Sequence, residues 1–151
     1  MIRIRPANEA DGNLLFAWRN DPVTQACSRS TAPVAREDHD RWMKFNVLQG
    51  YPQHLVMMAE TETGTVGTVR FDAARDDLMT FEVSITIAPK FRRLGIASSV
   101  LSEACSYMAE YTINAEIKKD NAASRRIFEH CGFEEIGRSS SYLNYRREPV
   151  R

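Results

Sequence analysis

The chain has no excess of either charge. Twenty Lys and Arg balance twenty Asp and Glu over 151 residues. That balance argues against a general nucleic-acid binder, whose domain is usually basic, but leaves room for a local basic pocket. Long apolar runs are missing too. The longest clean one, Leu55-Val56-Met57-Met58-Ala59, falls far short of the roughly 20 residues that a membrane helix needs. Cysteine is scarce. Cys27, Cys105 and Cys131 make no metal-ligand pair and no even disulfide set, so no metal site is expected and a reducing cytoplasm suits the chain. The first residues, Met1-Ile2-Arg3-Ile4-Arg5, alternate like a strand and lack the apolar core and cleavage site of a signal peptide. There is no repeat, no low-complexity tract and no linker.

What is present reads as one domain over residues 1–151, long enough to bury a sizeable core. A 43% hydrophobic and 26% charged composition is that of an ordinary globular chain. Ile2 to Arg5 reads as a strand. Asn8, with Asp11 in the capping-box position, predicts a helix from Glu9 to Arg19 whose buried face is Leu14, Leu15 and Trp18. Asp21-Pro22 restarts the chain into a short helical piece. Trp42, Phe45 and Leu48 predict a helix from Val34 to Leu48. Three strands follow, His54 to Glu60, Thr65 to Asp72 and Leu78 to Ile87, as an antiparallel meander. A helix from Gly95 to Glu110 buries Ile96, Val100, Leu101, Ala104 and Met108. The strand Thr112 to Lys118 then lies parallel to the previous one, across that helix. A helix from Asn121 to Cys131, stopped by Gly132, precedes strands Phe133 to Arg138 and Ser140 to Arg147. The sum is an α/β fold with a mixed, mostly antiparallel sheet of about seven strands and about four helices.

The most informative segment is Arg92-Arg93-Leu94-Gly95-Ile96-Ala97, between a strand and a helix. The first N–H groups of a helix have no internal partners, and the peptide dipoles add positive charge there. A helix start is therefore a ready anion site. Gly95 lets a ligand approach the backbone, Ala97 is nearly as small, and Arg92 and Arg93 bring charge. The competing reading is a plain turn with two solvated arginines.

The run from Glu82 through Ala97 resembles the pyrophosphate-binding motif of the GNAT superfamily of acyl-CoA N-acyltransferases. Asn121-Ala122-Ala123-Ser124, continuing to Gly132-Phe133, is similar to that family's second cofactor motif. The resemblance implies a GNAT-like fold and acetyl-CoA as acyl donor. It implies that the backbone of Arg92, Arg93, Leu94, Gly95, Ile96 and Ala97 holds the pyrophosphate. Ile85 and Ile87 would present strand backbone to the pantetheine arm, with Asn121 and Ser124 beside it. Asn121 is also a good helix N-cap, and both roles can coexist. Family members often form homodimers, although no interface residue stands out.

Acyl transfer to an amine needs that amine neutral, and a primary alkyl amine has a pKa of about 10.4. A base must therefore help. Glu82, on the opposite strand face from Phe81 and Val83, is the candidate catalytic residue, against the plainer reading of a solvent-facing carboxylate. A strand N–H, that of Ile87, is the candidate oxyanion donor. Many relatives carry Tyr where this chain has Phe128, and Phe128 cannot protonate a leaving thiolate. Tyr142, Tyr145, Ser124, a water or unassisted departure remain open.

The expected acceptor is a small-molecule amine. Trp18-Arg19-Asn20-Asp21-Pro22, Glu37-Asp38-His39-Asp40-Arg41-Trp42 and Arg70-Phe71-Asp72 resemble the subgroup that acetylates nucleotide-linked amino sugars. That implies Arg19, His39 and Arg70 as substrate-binding residues, since Arg grips a diphosphate in two places at once. Core packing for the tryptophans, a surface pair of Arg19 with Asp21, and a satisfied boundary role for His39 are the plainer alternatives. A protein N-terminus, Lys or small amine as acceptor stays open, as does a non-catalytic acyl-CoA-binding module.

Overall fold

The computed structural model describes residues 1–150. Seven strands form one sheet in the order β1-β2-β3-β4-β5-β7-β6. They are β1 Arg3–Pro6, β2 His54–Thr61, β3 Gly64–Ala74, β4 Asp77–Ile87, β5 Thr112–Lys118, β6 Glu134–Arg138 and β7 Tyr142–Arg147. Five α-helices cover it: α1 Gly12–Arg19, α2 Pro22–Cys27, α3 Arg36–Trp42, α4 Ala97–Ser106 and α5 Ala122–His130. The α/β architecture is as expected, with α2 as the fifth helix. Asp21 caps α2, accepting from the N–H groups of Val23 and Thr24 at 3.2 Å each. Pro22 takes the first helical position, where a missing N–H costs nothing.

The meander of β2, β3 and β4 is antiparallel throughout. Its alternation places Val69, Phe71, Phe81 and Val83 on one face, buried against Val100, Leu101 and Ala104 of α4 and Phe128 of α5. The opposite face meets Leu15 and Trp18 of α1 and Met43 after α3. Because α4 crosses over between β4 and β5, those two strands run parallel. They pair only from Thr80–Thr112 to Glu82–Asn114. Beyond Glu82 the strands part, and β4 from Val83 onward faces β5 across a gap.

Three local expectations change. Leu14 is 37% exposed, because Leu15 and Trp18, three residues apart, take the sheet-facing side of α1 and Leu14 lies a hundred degrees round. The helix expected from Val34 to Leu48 is α3 followed by a π-helical segment, Met43–Leu48. The Gln49 N–H reaches back to the Lys44 carbonyl at 3.0 Å. That wider turn breaks the 3.6-residue phase, buries Met43 and leaves Phe45 and Leu48 53% and 51% exposed. Helix α4 starts at Ala97 rather than Gly95, since Arg93 and Gly95 hold φ of 63° and 74° and cannot lie in a right-handed helix.

The entry to α1 depends on one buried carboxylate. Arg5 donates to both oxygens of Asp11 at 2.8 and 2.7 Å, and the Asn8 N–H donates to it at 2.8 Å. The Arg5 hydrogen bonds hold the Asp11 carboxyl below the usual carboxylate range. A depressed folded-state value contributes stability above the unfolded pKa of about 3.9, and that stability is lost as pH falls through the folded value. Replacing Asp11 by Asn should cost about 2–3 kcal/mol in urea unfolding. It should also reduce the loss of stability below about pH 4, because the titrating group is gone.

Candidate active site

Strand β4 ends at Ile87, a 3-10 turn spans Pro89–Phe91, and the left-handed residues Arg93 and Gly95 turn the chain into α4. The first helical bond at this end is Val100 N–H to the Ile96 carbonyl, 2.9 Å. Among the described residues, the N–H groups of Gly95 through Ser99 have no backbone acceptor. They lie at the start of a ten-residue helix whose dipole favours an anion. A Cβ built on Gly95 would meet no atom within 4 Å, so the backbone there lies open to a ligand.

Arg92 departs from expectation. Its guanidinium turns away from the loop, donating to the Ile87 carbonyl at 3.1 Å, to Asp21 at 2.7 Å and to Thr24 Oγ1 at 2.9 Å. Its own N–H goes to the Pro89 carbonyl. Arg92 therefore braces the loop against α2 and has no free charge for a phosphate, while Arg93 remains exposed. Asp21, which the plainer alternative paired with Arg19, pairs with Arg92 instead, which holds its carboxyl below the usual range. Asn121 caps α5 by accepting from the Ser124 N–H at 3.1 Å, which leaves the Asn121 amide NH₂ free. Ile85 and Ile87 lie half-buried along the β4 edge that faces the gap.

Glu82 stands at the apex of that gap. Its neighbours Phe81 and Val83 are buried and Glu82 is exposed, as strand alternation requires. Beyond it the loop after α2 is strapped to the far side of the gap. Arg29 pairs with Glu116 and lies over the Tyr142 ring, and Lys118 donates to the Ala26 carbonyl at 2.8 Å. Phe128 packs edge-on against Phe133, with ring centroids 5.0 Å apart. The Tyr145 hydroxyl donates to Glu129 at 3.1 Å, so it is committed to α5.

A cavity of about 210 Å³ lies between α1, α3 and the sheet face that carries Glu82. Leu15, Trp18, Trp42 and Val56 form its apolar wall, and Thr68, Ser84 and Thr86 supply hydroxyls. Two arginines face into it. Arg19 donates to the Ser30 carbonyl at 3.1 Å, but its Nη1 is buried with no partner. Burial first, then repulsion from Arg70, pulls the Arg19 guanidinium below its ordinary range. Arg70 donates through Nε to Asp72 at 2.9 Å. His39 is the second correction. It lines the cavity, yet its Nε2 donates to the Gly12 carbonyl at 2.8 Å and the residue is 3% exposed. The ring lies between Phe16 and Trp42, so the Nε2 donor of His39 is spent on tying α3 to α1. Trp18 is core, as its plainer reading held.

Sequence reasoning passed over His54 and gave Asp72 no role. The structure joins their side chains at 2.7 Å. Alternation along β3 is a signal that could have set Asp72 beside Arg70. Nothing local points to His54, because its partner is set by strand register. Burial pushes Cys105 up to about 12 and raises Cys131 as well.

The family model described as Acetyltransferase (GNAT) domain matches residues 2–134. No curated protein matches the chain. Among solved structures, a spermidine N-acetyltransferase from Vibrio cholerae, in complex with CoA and spermine, superposes with a TM-score of 0.85 at 15% identity, over 97% of this chain and 94% of that one. A ribosomal-protein-alanine N-acetyltransferase from Brucella melitensis gives 0.80 at 26% identity, over 97% and 99%. An N-acetyltransferase from Staphylococcus aureus Mu50 gives 0.78 at 21% identity, over 98% of each.

Two outcomes follow from this geometry. Replacing Gly95 by Val puts a branched side chain at positive φ in the path of a ligand, and calorimetry should show CoA binding weakened about tenfold or more. In the native protein at pH 8, a thiol reagent should label Cys27, which is exposed, and leave Cys105 unlabelled until the chain unfolds.

Proposed function

Because the chain belongs to the acetyltransferase (GNAT) domain family, and so is an acyl-CoA N-acyltransferase with acetyl-CoA as donor, we propose that it acetylates the primary amine of a small acceptor that carries an anionic group. A nucleotide-linked amino sugar is the leading member of that class. One observation supports this reading above others: Arg19 and Arg70 both face one cavity, and Arg19 brings a buried, unpartnered donor. A buried guanidinium nitrogen without an acceptor is costly, and a phosphate or carboxylate offers a matching pair of oxygen acceptors. A polycationic amine would be repelled by the same pair.

In this reading the donor arm runs into the gap between β4 and β5 along Ile85 and Ile87. Its pyrophosphate rests on the N–H groups from Arg93 to Ala97, and Asn121 and Ser124 meet the arm from α5. Glu82 takes a proton from the acceptor's ammonium, directly or through a water, and the neutral amine attacks the thioester carbon. A strand N–H, that of Ile87, meets the oxygen that gains charge. The thiolate needs no Tyr to depart, since its acidity is close to that of free Cys, about 8.5. Phe128 is then a packing residue. Three free cysteines suit a reducing cytoplasm as the enzyme's compartment.

Thiol release from acetyl-CoA should be measured against amino-sugar nucleotides, N-terminal peptides, Lys peptides and polyamines. Turnover should favour the amino-sugar nucleotides. Arg19→Ala and Arg70→Ala should each raise the acceptor KM about 10-fold to 100-fold, the size of a lost charged hydrogen bond. Glu82→Gln should lower kcat about 10²-fold to 10⁴-fold with CoA affinity retained. Turnover confined to polyamines or peptides would sink the anionic-acceptor reading and keep the acetyltransferase.

A further inference from the structure

The register of the sheet lines up a polar row on the cavity face. His54 pairs with Asp72, Asp72 with Glu82, Glu82 with Asn114, and Asn114 with Arg146. The ends of the row are satisfied. Arg146 Nε donates to Asn114 at 2.9 Å, while His54 Nδ1 and Arg70 Nε hold the two oxygens of Asp72 at 2.7 and 2.9 Å. Glu82, in the middle, has a second carboxylate directly opposite on the neighbouring strand. Opposed like charges weaken a strand pair, so this placement does not serve the sheet.

The reaction itself requires an exit for a proton. An acceptor enters as an ammonium at neutral pH. It gives up one proton before attack and a second as the amide forms. The departing thiolate takes one of these to become a thiol. The other must reach solvent in every turnover. Glu82 is exposed in the free chain, so a carrier matters once acceptor and donor cover it.

We infer that His54, held by Asp72, is the group that carries this proton from Glu82 to bulk water. The inference rests on the reading of Glu82 as the base. Nδ1–H of His54 donates to Asp72, which fixes the ring tautomer and leaves Nε2 with a free lone pair. Nε2 takes the proton from Glu82 through intervening water, since β2 and β4 are two strand spacings, about 10 Å, apart. Asp72 offsets the charge of the imidazolium, as the Asp does in a Ser-His-Asp triad. The His54 side chain is 35% exposed, so its proton passes directly to solvent and the neutral ring is restored. Neither His54 nor Asp72 touches the acceptor in this scheme. Both act through Glu82 and are positioning residues.

The test is His54→Asn, which keeps an N–H donor toward Asp72 but cannot carry a proton, with His54→Gln as the second variant. Turnover is measured with acetyl-CoA and the fastest amine of the panel. The expected result is a kcat about tenfold lower, an unchanged KM for both substrates, an unchanged Tm, and recovery of kcat on adding millimolar imidazole. Variants that turn over at the unaltered rate, or slow variants that imidazole does not restore, overturn the inference. Glu82→Gln is run beside them. If it keeps full turnover, the base reading fails and the relay fails with it. If Glu82→Gln is inactive while His54→Asn is fully active, only the relay is removed. No turnover with any amine of the panel removes both.

Discussion

The parting of β4 and β5 after the Glu82–Asn114 pair is the constraint on which the rest of this molecule depends. A parallel pair made by a crossover helix could continue for the full length of both strands, and here it stops after three residue pairs. The separation exposes a strand edge in the middle of a sheet, where backbone groups are normally consumed by a neighbour. It sets Glu82 at the point where the gap begins, on the face away from α4. It also brings the start of α4 to the gap's open end, because the same crossover that makes the strands parallel must begin where β4 finishes.

Holding such an opening requires ties that do not run through the ladder. Arg92 supplies one, joining the end of β4 to Asp21 and Thr24 of α2. Arg29 and Lys118 supply another, fastening the loop after α2 and α2 itself to the β5 side. His39 supplies a third, fixing α3 to α1 above the cavity. Each lies close to the functional surface and none need touch a substrate. Arginine suits this work, since one planar group can satisfy a carbonyl, a carboxylate and a hydroxyl at once. Arg19, with an unpartnered Nη1, and Arg70, bonded to Asp72 through Nε, face the cavity.

The elements legible in the sequence were those whose signal is local. The Phe81, Val83 and Ile85 alternation located β4 and set Glu82 on the far face. Gly95 between a strand and a helical pattern located the anion loop, and Asn8 with Asp11 located the first helix start. Less legible were partners far apart along the chain. Arg92 read as a phosphate ligand because Asp21 is 71 residues away. His39 read as a substrate ligand because the carbonyl that takes its proton, Gly12, belongs to another helix. Trp42, Phe45 and Leu48 read as one regular helix because a π-helical turn carries no signature that a 3.6-residue count can detect.

Periodicity and turn chemistry are encoded residue by residue, so the chain alone determined its strands, most of its helices, their order, the parallel crossover and the family motifs at Arg92 to Ala97 and Asn121 to Phe133. Which charges meet is decided by register and helix docking, which sum weak preferences over the whole fold. Only the tertiary structure could therefore take Arg92 away from the loop, leave Arg19 short of an acceptor, and set His54, Asp72 and Glu82 in one row.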